Sequence, residues 1–324
     1  MIVTRPGMQK PQILAMKRSA KASFMPNAVV FPGGIADQND ATAEWKKFLS
    51  SHHGKRKFKN LSESLIYPCQ PEIYQTNSDQ PLSNQISLRL TAIRELLEET
   101  GVFLGTNGVE QVSNEERQKI YKNPNTFVDF CKTKNSAPDI DRLREWSNWL
   151  TPNFILPKRF DTMFYLLSLT HEEKSIEFTP DNSEMLTAEW REASWYVKNQ
   201  DQVHLHPPQG YEFSRLMNFE TNKEIDWYAR RRAETHGTKR WMPIVTKPQK
   251  FNGKNVRMNL MPDDFFYPED NDVLGLGEQF EVDEETMMEQ LGFGEIKFTE
   301  PENCADRLDR GYWWDKQTLY RAES

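Results

Sequence analysis

The chain has 324 residues, of which 37% are hydrophobic and 12% aromatic, a balance that excludes a wholly disordered chain and suits a core carrying long polar elaborations. A formal charge of -7 excludes the basic footprint expected of a duplex DNA binder. Cys69, Cys131 and Cys304 lie far apart without CxxC spacing, so neither a disulfide framework nor a zinc site is indicated, and the most apolar run, Met163-Phe164-Tyr165-Leu166-Leu167-Ser168-Leu169, is far short of the about 20 residues of a membrane span.

The first residues carry Arg5, Lys10, Lys17, Arg18 and Lys21 with no acid before Asp37, superficially like a transit peptide, but residues 12–16 read as a strand that cleavage beyond them would remove. Ile13-Leu14-Ala15-Met16 and Ala28-Val29-Val30-Phe31, the latter ended by Pro32-Gly33-Gly34, predict two strands ahead of the first long helix. Residues 36–85 turn polar and read as an insertion running over the surface, with a short helix at 41–49. Helical periodicity over 87–100 stops at Gly101, where helices commonly take a left-handed residue. Residues 113–150, broken by Pro124 and Pro138, predict a helical insertion of two or three helices. Strands are expected at 160–170 and 185–190, and a helix at 194–199. A main domain thus spans 1–236, and 237–324 forms an extension that packs on the core or is disordered, with an acidic stretch at 263–289 and the aromatic group Tyr312-Trp313-Trp314.

Chemistry concentrates in Arg94-Glu95-Leu96-Leu97-Glu98-Glu99-Thr100-Gly101-Val102. At about 100° per residue Glu95, Glu98 and Glu99 share one helix face, while Ile93, Leu96 and Leu97 take the opposite one and can anchor it. Like charges at these spacings cost a few tenths of a kcal/mol per pair unless a cation joins them. A face of three carboxylates suits Mg2+ or Mn2+, hard ions that favour oxygen donors and bind phosphates. Arg94 can pair with a glutamate and orient it. A solvated acidic face is the alternative reading of the three glutamates.

The spacing resembles the second half of the Nudix box, REUxEExGU with U aliphatic, at every specified position, and Phe31-Pro32-Gly33-Gly34 resembles the family's entry loop. Resemblance to Nudix hydrolases implies an α/β fold, an αβα sandwich around a mixed sheet, with the long insertion inside the box and the helical insertion after it. It implies metal binding by Glu95, Glu98 and Glu99, orientation by Arg94, and substrate contact near Phe31, Gly33 and Gly34. Glu184, in Pro180-Asp181-Asn182-Ser183-Glu184, matches a loop from which some members take a base or an extra ligand, a solvated turn acid being the alternative. The box is split here: Arg94 follows Gly34 by 60 positions, with Asp40 where the first-half glutamate falls when counted from Gly34 and Ile86 where it falls when counted back from Arg94.

Such a split resembles the coenzyme A diphosphatase branch, also called Nudix motif-19 proteins. Phe24-Met25-Pro26-Asn27 ahead of Ala28, Trp149-Leu150-Thr151-Pro152, Lys158-Arg159-Phe160-Asp161-Thr162 and Leu205-His206-Pro207-Pro208 resemble its other segments. Arg18-Ser19 matches the start of a coenzyme A motif whose later arginine and glycine are replaced by Ser23 and Asn27, and Arg18 could hold a phosphate of the substrate. The resemblance implies hydrolysis of coenzyme A or acyl-CoA to 3′,5′-ADP and (acyl-)phosphopantetheine; NADH or ADP-ribose cleavage and a noncatalytic nucleotide- or protein-binding module are the alternatives. Arg230-Arg231-Arg232 offers another cationic group for a phosphate, an exposed helix face being the alternative reading, and His204 and His206 read as residues that point the same way without a metal role. The resemblance implies a soluble intracellular protein of the peroxisome, where the branch is typically found, but Ala322-Glu323-Ser324 is no such address, so cytosol and mitochondrion stay open beside it.

Overall fold

The structure is a computed structural model that describes residues 1–22, 25–76, 79–151, 159–199, 202–245, 249–251, 254–257, 259–260 and 320–321. Ser23, Phe24, Pro152, Lys158, the acidic stretch 263–289, Cys304, Tyr312-Trp313-Trp314 and the last three residues lie outside these. The chain divides into two compact units, one of residues 1–147 and 163–239, the other of 148–162 and 240–324.

The first unit is built on a mixed sheet of β1 (Ile2–Arg5), β2 (Gln12–Arg18), β3 (Val29–Val30), β6 (Arg144–Leu150, up to residue 147), β7 (Asp161–Ser168, from residue 163) and β8 (Met185–Glu192), separate from the hairpin β4 (Val102–Gly105) and β5 (Gly108–Gln111). Spatial order is β3-β2-β1-β7-β6, with β8 antiparallel along the whole of β2 and β1 parallel to β7. Among the described residues three strands, not two, therefore precede the long helix. The run Ile2-Val3-Thr4 is too short to announce itself, yet Ile2 and Val3 are wholly buried because β1 fills the middle of the sheet.

Side chains alternate across the sheet and define two helical layers. Leu14, Tyr165 and Leu167 pack in one cluster with Leu90, Ile93, Leu96 and Leu97 of α3 (Asn84–Thr100). On the other face Phe164 meets Phe31, whose ring lies 4.9 Å from Phe213, and Phe213 stacks on Tyr196, so α6 (Ala193–Lys198) and α7 (Pro207–Leu216) cover that side. β6 obeys the same rule: Glu145 turns to Arg89 of α3, and Trp146 turns to Phe219 and to Tyr228 of α8 (Asn222–His236). Helix on sheet on helix is the expected αβα sandwich.

The insertion between the glycine loop and α3 is a structural part of the core. It holds α1 (Ala43–His53) and α2 (Lys55–Ser64), and Trp45, Leu49, Phe58, Leu65 and Leu82 are buried in the α3 cluster. The surface excursion expected from its polarity is thus corrected: sparse apolar residues at helical spacing were enough to dock it. The second insertion supplies α4 (Asn114–Lys122) and α5 (Thr126–Thr133), but its helical part ends before 144, where Trp146 and its neighbours enter β6. Arg230-Arg231-Arg232 also divides: Arg230 is exposed and paired with Glu234, whereas Arg232 donates to the carbonyls of Glu145 and Trp146.

In the second unit Asn148 and Trp149 pair in parallel with β9 (Arg240–Trp241). Short antiparallel pairs follow: β10 (Ile244–Val245) with β13 (Asn259–Leu260), and β11 (Gln249–Phe251) with β12 (Lys254–Arg257), which also pairs with β14 (Tyr320–Arg321).

Candidate active site

Helix α3 has no glycine or proline between 84 and 100, and Gly101 ends it in the left-handed conformation at φ 71°, its N–H donating to the Leu97 carbonyl at 2.8 Å. Full burial of Ile93, Leu96 and Leu97 contributes about 1.5–3 kcal/mol each, far above the few tenths lost per like-charge pair on the opposite face. Packing therefore wins, and the acidic face is held where the fold puts it.

Arg94 organises that face. Its Nη1 donates to Glu95 Oε1 at 2.9 Å and to Glu98 Oε1 at 2.8 Å, while Nε and Nη2 donate to Asp40 at 3.0–3.2 Å. Asp40, only 1% exposed, also accepts from Thr91 Oγ1 at 2.7 Å. Asp40, the residue that counting forward from Gly34 puts at the first-half glutamate, is thus bound to Arg94, whereas Ile86 is a core residue. Its short turn, residues 38–41, packs against α3 by way of that ion pair.

The glycine loop comes in from β3. Gly33 sits at φ 149°, and its N–H donates to Glu99 Oε2 at 2.8 Å. A Cβ on Gly34 would fall 2.3–2.7 Å from the Glu95 carboxylate, so the loop backbone and that side chain are in direct apposition. Phe31 is 5% exposed, its ring packed against Phe164 and Phe213 in the core.

Three acids, Asp40, Glu95 and Glu98, share one arginine, and Glu99 on the same face meets the Gly33 N–H instead. Burial pushes Glu95 up to about 7, with Arg94 opposing it and Glu98 adding to it. Burial likewise raises Glu98, and raises Glu99 well above the carboxylate range, where the charge of Glu95 adds to it and the Gly33 N–H opposes. The Met1 amino group, which donates to the Pro32 carbonyl, is lowered by burial to about 6. An all-oxygen donor set with more acid than base is chemically matched to a hard divalent cation. Among the described residues no three acids are already gathered around one point, because the carboxylates are turned onto Arg94 and the Gly33 N–H.

Glu184 and Arg18 form an ion pair with each other. The loop that carries Glu184 is fixed by Asp181, whose Oδ1 and Oδ2 accept from the N–H groups of Met185 at 2.7 Å and Glu184 at 3.1 Å, and Ser19 N–H donates to the Glu184 carbonyl at 2.8 Å. The start of this loop is tied to the end of α3, where the Thr179 N–H donates to the Thr100 carbonyl at 2.9 Å. Asn27, standing for the motif's glycine, has φ 60°, so it keeps the left-handed backbone that asparagine tolerates better than most residues. His204 and His206 do face each other, 4.8 Å between rings, and burial lowers His206 to about 4.

A mixed sheet between helical layers, with an REUxEExGU helix facing a glycine loop, defines a Nudix hydrolase. A solved Nudix hydrolase from Alicyclobacillus acidocaldarius has the same fold, with TM-score 0.52 and 21% identity over 70% of this chain and 92% of that one. The family model of the NUDT19 Nudix domain matches residues 4–216, and the chain belongs to that family of Nudix pyrophosphohydrolases. Similar proteins named acyl-coenzyme A diphosphatase NUDT19 occur in Xenopus laevis, 29% identical over 82% of this chain and 73% of that one, in Gallus gallus, 32% over 82% and 75%, and in Homo sapiens, 30% over 81% and 74%. Among the described residues no helix is long and apolar enough to cross a membrane.

Proposed function

We propose that the chain hydrolyses the diphosphate of coenzyme A or acyl-CoA, giving 3′,5′-ADP and (acyl-)phosphopantetheine, with Mg2+ or Mn2+ held by Glu95, Glu98 and Glu99. The observation that carries the reading is the buried excess of acid on α3 in a chain whose relatives are named acyl-coenzyme A diphosphatases. A divalent ion bound there supplies neutralisation of diphosphate charge and a lowered pKa for water.

The remaining work falls to the chain's own groups. Asp40 holds the Arg94 guanidinium, which sets the rotamers of Glu95 and Glu98, and the Gly33 N–H sets Glu99. Gly33 and Gly34 let the backbone close on the substrate without a side chain in the way. Arg18 is the cation nearest Glu184 and a match for a substrate phosphate; on engaging it, Arg18 releases Glu184 to take up a proton or serve as a further ligand. The catalytic domain on this reading spans 1–236.

The test is metal-stripped protein supplied with Mg2+ or Mn2+ and offered coenzyme A, an acyl-CoA, NADH and ADP-ribose in turn, beside Glu98→Gln. Release of 3′,5′-ADP from the coenzyme A substrates by wild type alone is expected. Turnover of none by wild type sinks the enzymatic reading, and preference for NADH or ADP-ribose sinks the choice of coenzyme A.

A further inference from the structure

The end of α3 leaves carbonyls without helical partners, as every helix does. Leu97 O is taken by the Gly101 N–H and Thr100 O by the Thr179 N–H at 2.9 Å. Glu98 O is taken by a side chain from outside the Nudix box: Arg117 Nε of α4, at 2.7 Å. Arg117 is 2% exposed, and its Nη1 reaches the carbonyl of Pro180 at 3.5 Å. Nη2 is buried without a hydrogen-bond partner, and no carboxylate oxygen of the described residues forms an ion pair with this guanidinium. A buried cation bonded through carbonyls alone is costly to keep, whereas a leucine or methionine would fill the same space more cheaply.

What that cost secures is position. Glu98 is on the metal-facing side of α3, and Pro180 begins the loop that carries Glu184, so one guanidinium ties together both sources of acid in the site. A cation at a helix C-terminus also meets the negative end of the helix dipole. One turn further along α4, Tyr121 is 48% exposed, and the charges of Glu184, Asp181, Glu98 and Glu95 act on its hydroxyl.

We propose that Arg117 is a positioning residue for hydrolysis: by capping the Glu98 carbonyl and holding the Pro180 carbonyl, it fixes the last turn of α3 and loop 180–184 in one geometry. The helical insertion is then a working part of the site. The proposal rests on the reading of α3 as the metal-holding helix.

Arg117→Met removes the donors at similar length, and Arg117→Lys restores one. Mn2+ binding to metal-stripped protein, followed by electron paramagnetic resonance, should weaken about 10–100-fold in Arg117→Met and recover most of the way in Arg117→Lys. With saturating Mn2+, kcat should fall by a similar factor while KM for the diphosphate stays within about twofold. Unchanged Mn2+ affinity and kcat in folded Arg117→Met, whatever its melting temperature, would overturn the proposal. Should that variant fail to fold, Arg117→Gln, too short to hold both the Glu98 and Pro180 carbonyls, decides: amide exchange in residues 98–102 faster than wild type with weakened Mn2+ binding supports it, and wild-type values in both overturn it. A wild type that binds Mn2+ but cleaves none of the diphosphates breaks the proposed function and leaves the metal titration to judge Arg117.

Discussion

Helix α3 carries two buried arginines, and they live in opposite kinds of surroundings. Arg89 is wholly buried and meets one carboxylate, Glu145, at 3.0 Å; Glu145 in turn accepts from Thr238 Oγ1 at 2.8 Å, and the Arg89 guanidinium lies over the Tyr165 ring. One charge answers one charge. Arg94, five positions on, meets Asp40, Glu95 and Glu98, with Glu99 on the same face. Burial and ion pairing are common to both, so neither marks a reactive site. Charge balance does: the first cluster is closed, and the second leaves negative charge for a cation to complete.

The comparison breaks most directly at Glu145. Glu145→Gln strands the Arg89 charge and should cost about 3–5 kcal/mol of stability, read by denaturant unfolding, while kcat per folded molecule stays at the wild-type value. Glu99→Gln should do the reverse. It keeps an acceptor for the Gly33 N–H but removes a carboxylate whose ionised form burial opposes, so the metal-free protein should melt higher while turnover falls about 10²–10³-fold. If Glu99→Gln destabilises the metal-free fold and Glu145→Gln abolishes turnover, the two clusters are not different in kind.

The acidic face was legible because its spacing is local: three glutamates within five residues, Arg94 beside them and Gly101 at the stop are read off one helix. The strands at 12–18, 161–168 and 185–192 were legible from their apolar runs. What stayed hidden depends on distant partners. Asp40 stood at the right count from Gly34, but across a separation of 54 positions nothing says that it will lie on Arg94. Arg117 had no signal at all, since an arginine in a polar helical stretch reads as solvated until its carbonyl partners are seen. Trp45 and Leu49 in the insertion fell to the same limit: a low apolar content looked like surface, and only the fold shows that the few apolar residues face α3.

A smaller effect tests how tightly the open cluster is built. In Gly34→Ala the new methyl would overlap the Glu95 carboxylate, which can swing aside because it ends a flexible side chain. The fold should survive with little change in melting temperature. Displacing that carboxylate should lower turnover about 10-fold, as misplacing a reacting group does, with loss in kcat greater than in KM. Wild-type kinetics in Gly34→Ala would show that the apposition of loop and Glu95 does not matter to the reaction.

The smallest effect lies in pH. Glu95 is pushed from 4.5 to about 7, chiefly by burial. A carboxyl raised in this way is charged in both folded and unfolded chains above pH 7, and there it costs the fold most. Between about 7 and 4.5 the folded chain holds the proton more firmly and the cost shrinks; below 4.5 it is gone. Metal-free Glu95→Gln should therefore melt above wild type at pH 8, and the gap should close as pH falls to 4.5. Reading the difference between the two proteins cancels His206, lowered by burial to about 4, whose stabilising contribution runs the other way and is lost as pH falls from 6.5 to 4. Saturating Mg2+ at pH 8 should invert the gap, because only wild type offers the carboxylate and binding to the folded state alone raises its stability. A gap constant across this range, or one that Mg2+ leaves untouched, would mean that the charge on Glu95 is already balanced and that the second cluster is as closed as the first.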